Sequence, residues 1–162
     1  MSVAVRSMAT KAVALGETLV GALQRFAAAQ GCCWVVMKYC SDALQLAVES
    51  SGDFDGFRSA IQALNSSSAF ALLKVNLSEA KGGLQVDSLG RQKTVFFTYV
   101  PAAAPAFERA STSEAKSAVR TALGVVVHVE YTVENASDID EAAVLMRVKQ
   151  STGGMHPIDM IS

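Results

Sequence analysis

The stretch from Gln92 to Gly124, QKTVFFTYVPAAAPAFERASTSEAKSAVRTALG, decides the fold. Thr94 to Val100 is rich in β-branched and aromatic residues, which predicts a strongly apolar strand. Pro101 and Pro105 bracket a turn, and Ala106 to Leu123 then has the composition of a helix. Ser111 and Glu114 stand at capping-box spacing in the middle of that segment. Such a signal rarely lies inside a helix, so the pattern predicts a short helix through Ala110 and a second one starting there, with a kink between. Gly124 closes the second piece.

Working outward, Phe70, Leu72 and Val75 to Leu77 predict a strand that forms a hairpin with Thr94–Val100, its long tip containing Gly82, Gly83 and Gly90. Phe54, Phe57, Ile61 and Leu64 recur at helical spacing after the turn Ser50-Ser51-Gly52. Cys33, Val35, Met37 and Tyr39 alternate with Cys32, Trp34, Val36 and Lys38, putting apolar groups on both faces of a central strand whose hairpin partner is Leu44 to Val48. Nearer the N-terminus, Thr10 can cap a helix running to Gln30, ended by Gly31, with Leu15, Leu19, Leu23 and Phe26 as its buried stripe. On the far side, Val125, Val127, Val129, Tyr131 and Val133 alternate with Val126, His128, Glu130, Thr132 and Glu134, as a half-buried strand requires. Ser137 then caps a last helix with Asp138, Asp140 and Glu141 at its positive end and Arg147 and Lys149 at its negative end, before Gly153 and Gly154 stop it. This order predicts an α+β sandwich: a mixed sheet of about five or six strands between helices. We expect one domain over residues 1–162, with flexible ends at 1–9 and 155–162.

The composition fits such a domain. Of the 162 residues, 51% are hydrophobic and only 18% charged, enough apolar surface to offset the entropy of ordering the chain. A net charge of -1 supplies no global positive field for nucleic acid or an anionic membrane, so an anionic partner must meet a local basic patch. Cys32, Cys33 and Cys40 lie close together, and His128 and His156 are not at zinc-finger spacing, so reduced thiols are expected rather than disulfides or zinc. No run reaches the roughly 18 to 20 apolar residues that cross a bilayer. The alanine-rich first 31 residues, with Arg6, Lys11 and Arg25 against Glu17, also have the composition of a mitochondrial transit peptide; the helical stripe favours a folded segment instead.

Catalytic patterns fail on geometry. Six residues separate Gly83 from Gly90, and Arg91 and Gln92 precede Lys93, whereas a phosphate loop needs about four residues between the glycines and lysine at once after the second. His128 falls in a strand and is expected to be structural, and no base stands beside Cys32 or Cys33. The acid pairs Asp53/Asp55 and Asp138/Asp140 sit where helices begin, which accounts for them as caps. Trp34, Tyr39, Tyr99 and Tyr131 lie in strands without interleaved arginine, so core packing is expected rather than a stacking platform for nucleic acid. No cofactor is expected, and no enzyme.

The segment FERASTSEAKSAVRTAL, Phe107 to Leu123, preceded by QKTVFFTYVP, Gln92 to Pro101, resembles the core signature of the actin-depolymerising-factor homology family. In depolymerising factors and cofilins a methionine and a tyrosine precede AST or ASS, and a lysine follows. Here Arg109 replaces the tyrosine and Ser113 the lysine. Coactosins instead have arginine and alanine at that start and two lysines further on, corresponding to Arg109, Ala110, Lys116 and Arg120. Lys93 matches a strand-opening lysine, Arg91 a basic loop residue, and Gly153 and Gly154 a terminal glycine pair. The similarity covers Thr10 to Ser162.

The resemblance implies the gelsolin-like fold of that family and a non-catalytic, monomeric, cytoplasmic protein of the cytoskeleton. It would bind along actin filaments, with only weak binding to actin monomer, and modulate cytoskeletal dynamics. The implied actin-binding residues are Arg91, Lys93, Arg109, Ser113, Lys116, Arg120, Arg147 and Lys149. Lys116 and Arg120 lie one helical turn apart, a compact cationic strip suited to an acidic surface. Ser111 stands where coactosins often carry lysine, and no lysine pair precedes the terminal glycines, which implies weak or salt-sensitive filament binding. Filament severing or monomer binding of the cofilin kind is the alternative, and Arg109 and Ser113 speak against it.

Overall fold

The structure is a computed structural model and describes residues 12–29, 33–50, 53–76 and 92–151. In chain order the elements are β1 (Ala14–Leu15), α1 (Glu17–Ala28), β2 (Cys33–Cys40), β3 (Ala43–Ser50), α2 (Phe54–Gln62), β4 (Ala69–Asn76), β5 (Gln92–Tyr99), α3 (Ala106–Leu123), β6 (Val129–Val133), a 3-10 turn at Ala136–Asp138 and α4 (Glu141–Gln150). The strands form one sheet in the order β1-β3-β2-β4-β5-β6. β1 and β6 pair parallel to their neighbours and the other contacts are antiparallel, so the sheet is mixed as expected.

Alternation along the central strands divides the core into two layers. Trp34, Val36, Ala71, Leu73, Val95 and Phe97 face α2 and α4, which supply Phe57, Ile61, Val144 and Val148. The other face, with Val35, Met37, Phe70, Leu72 and Phe96, is covered by Leu19, Ala22 and Phe26 of α1 and Ala115, Val119 and Leu123 of α3. Full burial of a phenylalanine such as Phe57 or Phe96 contributes about 1.5–3 kcal/mol, so both layers are needed for a stable sheet. Trp34 and Tyr99 are buried and Tyr39 and Tyr131 pack on the core, as their strand positions predicted.

Four local expectations are corrected. The N-terminal segment is not helical back to Thr10, which lies outside the described residues, as does Gly31. Ala14 and Leu15 form β1 instead, since the Ala14 and Gly16 amides donate to the Asp42 and Leu44 carbonyls at 2.9 Å, and α1 starts only at Glu17. The segment Ala106–Leu123 is one uninterrupted helix and not two. Ser111 and Glu114 face solvent while Thr112 is buried, and the helix takes its true ends from Pro105 and from Gly124. Gly124 has φ +68°, a left-handed conformation that favours glycine. The last strand is shorter than the alternation suggested, because His128 bonds outside the ladder and β6 begins at Val129. The last helix is capped by Asp140, whose carboxylate accepts from the Ala143 amide at 3.0 Å, while Ser137 sits inside the 3-10 turn.

One buried charge organises the α1/α3 layer. Lys74 lies in β4, 5% exposed, and its ammonium donates to the carbonyls of Phe26, Ala27 and Ala29, the last at 2.9 Å. It also sits 4.9 Å from the centre of the Phe26 ring. These carbonyls lie at the C-terminus of α1, where a helix runs short of amide donors, and the ammonium meets the negative end of the α1 dipole. Replacing Lys74 by methionine keeps the volume but leaves the buried Phe26 carbonyl and the part-buried Ala27 and Ala29 carbonyls without their ammonium donor. The Lys74→Met variant should lose about 2–4 kcal/mol of stability in urea unfolding, against less than about 0.5 kcal/mol for the exposed control Lys38→Met.

Candidate functional site

Five of the eight residues singled out from the sequence converge on β6, which is an edge strand. Val129 and Val133 point into the α2/α4 layer, so Glu130 and Thr132, and Glu134 beyond the strand's end, project on the α3 side. Along α3, Arg120, Lys116 and the pair Ser113/Arg109 meet them in order. Arg120 forms an ion pair with Glu130, and Lys116 Nζ lies 3.4 Å from Thr132 Oγ1. An open groove of about 420 Å³ is lined by Arg109, Ala110, Ser113, Thr132 and Glu134. In it Arg109 Nε is buried without a hydrogen-bond partner among the described residues.

From the opposite face α4 reaches the same strand. Arg147 donates to the Glu130 carbonyl at 3.1 Å, and its guanidinium lies 4.7 Å from the centre of the Tyr131 ring. Tyr131 stacks on Phe97 at 5.4 Å and donates its hydroxyl to the Ala143 carbonyl at 3.1 Å. Burial pushes the Tyr131 phenol above its ordinary value, so it stays a neutral donor there. Five of the eight residues, Arg109, Ser113, Lys116, Arg120 and Arg147, therefore share one edge of the molecule. Lys93 is the second residue of β5, on the α2/α4 side, Lys149 is half-buried near the end of α4, and Arg91 lies outside the described residues.

Phe107 was not among the sequence candidates. It is 74% exposed in the first turn of α3, off the buried stripe Thr112, Ala115, Val119 and Leu123. That offset from the stripe is the signal that could have found it. Below it, Glu108 turns inward and accepts the Ser68 amide at 2.7 Å, anchoring the helix start to the sheet. Nothing at this edge is arranged for catalysis. Arg120 is paired with Glu130, the Thr132 hydroxyl meets the Lys116 ammonium, and no histidine or carboxylate is hydrogen-bonded to a hydroxyl among the described residues here, so the arrangement suits holding a partner. Among the described residues no three His, Cys, Asp or Glu side chains are grouped to hold a metal, and no helix is long and apolar enough to cross a membrane.

A mixed six-stranded sheet between two pairs of helices, with a long cationic helix beside the edge strand, defines an actin-depolymerising-factor homology domain. The family of cofilin/tropomyosin-type actin-binding proteins matches residues 12–149, and the chain belongs to that family, which is defined by binding and not by a reaction. Among solved structures, human coactosin-like protein superposes with TM-score 0.67 at 16% identity, covering 86% of this chain and 99% of the other. Cofilin from Streptomyces griseoflavus gives 0.64 at 17% identity, covering 84% and 98%, and coactosin from Entamoeba histolytica 0.65 at 13%, covering 86% and 96%. At these identities the likeness establishes the shared fold. No curated protein matches the chain in sequence.

His128 connects this edge to pH. Its amide donates to the Thr94 carbonyl at 2.9 Å and its Nδ1 accepts the Thr94 amide at 3.0 Å, a reciprocal clamp leading into β6. Desolvation, with the nearby Lys93 ammonium, holds the imidazole below its ordinary 6.5. Below that value the unfolded chain binds more protons than the folded one, so stability is full above pH 6.5 and falls as pH drops toward the folded value. Thermal unfolding should accordingly show a lower midpoint at pH 5.5 than at pH 7.5 (roughly one unit either side of a histidine's ordinary value). His128→Asn, whose Oδ1 can accept the Thr94 amide without titrating, should shrink that difference.

Proposed function

We propose that this protein binds along actin filaments without catalysis, as coactosins do, acting as a monomer at the cytoplasmic cytoskeleton and modulating filament dynamics. The observation that carries the proposal is the convergence of Arg109, Lys116, Arg120 and Arg147 on one exposed edge, with Phe107 projecting from the same helix. Cations distributed over both sides of β6 suit an acidic protein surface, and steer its approach. Phe107 supplies the apolar anchor that a charged rim alone lacks. Tyrosine is replaced by Arg109 and lysine by Ser113 at the start of α3, which favours side binding over severing. Lys93 and Lys149 extend the surface.

Cosedimentation with filaments at low and moderate salt tests this. The wild-type protein should pellet, more weakly as salt rises, because exposed charges are screened within about 8–10 Å. Lys116→Ala with Arg120→Ala should weaken binding roughly tenfold, and Phe107→Ala by a similar factor (about 1.4 kcal/mol each). Neither set should lower the unfolding midpoint appreciably. Protein that stays in the supernatant at both salts sinks the proposal, and filaments that shorten on its addition would place it with severing factors instead.

A further inference from the structure

We propose that Glu130 is an internal counter-ion that occupies the cationic edge until an acidic partner displaces it, and so sets the affinity of that edge. The inference rests on the filament-binding proposal above and names its control. Glu130 is placed by β6 between cations arriving from both faces of the sheet. Its carboxylate pairs with Arg120 of α3, and its backbone carbonyl accepts from Arg147 of α4 at 3.1 Å. The two contacts differ in what a partner can take. The Arg147 bond goes to the main chain, with the guanidinium packed on Tyr131, and holds the strand whatever side chain stands at position 130. The Arg120 bond goes to a side chain and is exchangeable.

Exposure makes the exchange possible. The Arg120 and Glu130 side chains are 45% and 34% exposed, so a carboxylate on a partner can reach the guanidinium while Glu130 is released to water. An ion pair this open is worth little, so its loss does not threaten the fold. Its cost falls instead on binding, since Arg120 must give up one carboxylate before taking another. Lys116 adds to the contrast. Its contact on the same strand is the neutral Thr132 hydroxyl at 3.4 Å, a weaker hold than a carboxylate. Of the two cations on the strip, Arg120 is the one held back.

Filament cosedimentation of wild type, Glu130→Gln, Arg120→Ala and the double variant decides the matter. Glutamine keeps the size and removes the charge, so Glu130→Gln should bind about two- to fivefold more tightly than wild type, the range an exposed ion pair can account for. In the Arg120→Ala background the same change should have no effect. Wild type that pellets while Glu130→Gln binds no more tightly overturns the inference alone. Equal tightening with and without Arg120 also overturns it, because general loss of negative charge would then be the cause. If no variant pellets at either salt, the filament-binding proposal has failed, and the inference with it.

Discussion

Lys74 is the constraint on which the architecture turns. A charge in a central strand of an apolar sheet is unfavourable unless several acceptors converge on it, and a helix C-terminus offers several carbonyls at one point. Helix α1 must therefore end over β4, where Phe26, Ala27 and Ala29 present theirs. Cys33 follows directly in space, its thiol aimed at the same Phe26 carbonyl and its backbone opposite Lys74 in the ladder. Once α1 is placed in this way, its last turn also meets β3, where Arg25 pairs with Glu49, and the two residues of β1 ahead of its first turn add to the sheet edge. The opposite flank of the same face remains for α3, which completes the layer with Ala115, Val119 and Leu123.

The far edge follows from that arrangement. Because α3 packs through small buried residues, it lies close to the sheet and brings its polar side chains alongside β6. The strand is short, pairs on one side only and would present open backbone groups to solvent. Such edges invite unwanted strand pairing unless they are covered. Here Arg147 occupies the Glu130 carbonyl, while Arg120 and Lys116 lie across the outward side chains. The same cations that shield the edge from another strand make it attractive to an acidic surface.

Much of this was legible from period and composition. The doubly covered strand β2, the hairpin strands β4 and β5, the amphipathic α2 and the acid-first, base-last α4 all appear where their patterns place them. Failures arose where a long-range contact outweighed a local signal. Two residues of β1 carry no periodicity and exist because Asp42 and Leu44 offer carbonyls. Ser111 and Glu114 mimic a cap, yet a helix whose inner face is already buried on the sheet gains nothing by breaking there. Asp140 displaced Ser137 as a cap because the 3-10 turn used the intervening residues first. Lys74 gave no hint of its role, being a single lysine in ALLKVN whose partners are distant in sequence. At the site, the helical spacing of Lys116 and Arg120 was visible and so was the polar alternation of Glu130 and Thr132, but only the fold sets one against the other.

Stability and recognition are thus assigned to different charges in this molecule. Lys74 is buried with its hydrogen-bond acceptors supplied from the main chain, out of reach of an external partner. Arg120 is exposed and held by one side chain, which leaves its interaction open to exchange. A buried ion is rigid because removing its partner leaves an uncompensated charge, whereas an open pair exchanges carboxylates at a cost comparable to thermal energy. Evolution of the edge toward stronger, weaker or differently regulated binding can therefore proceed through Glu130 and its neighbours on α3 while the Lys74 layer stays intact. The two sets of contacts share α3 and the sheet but no side chain.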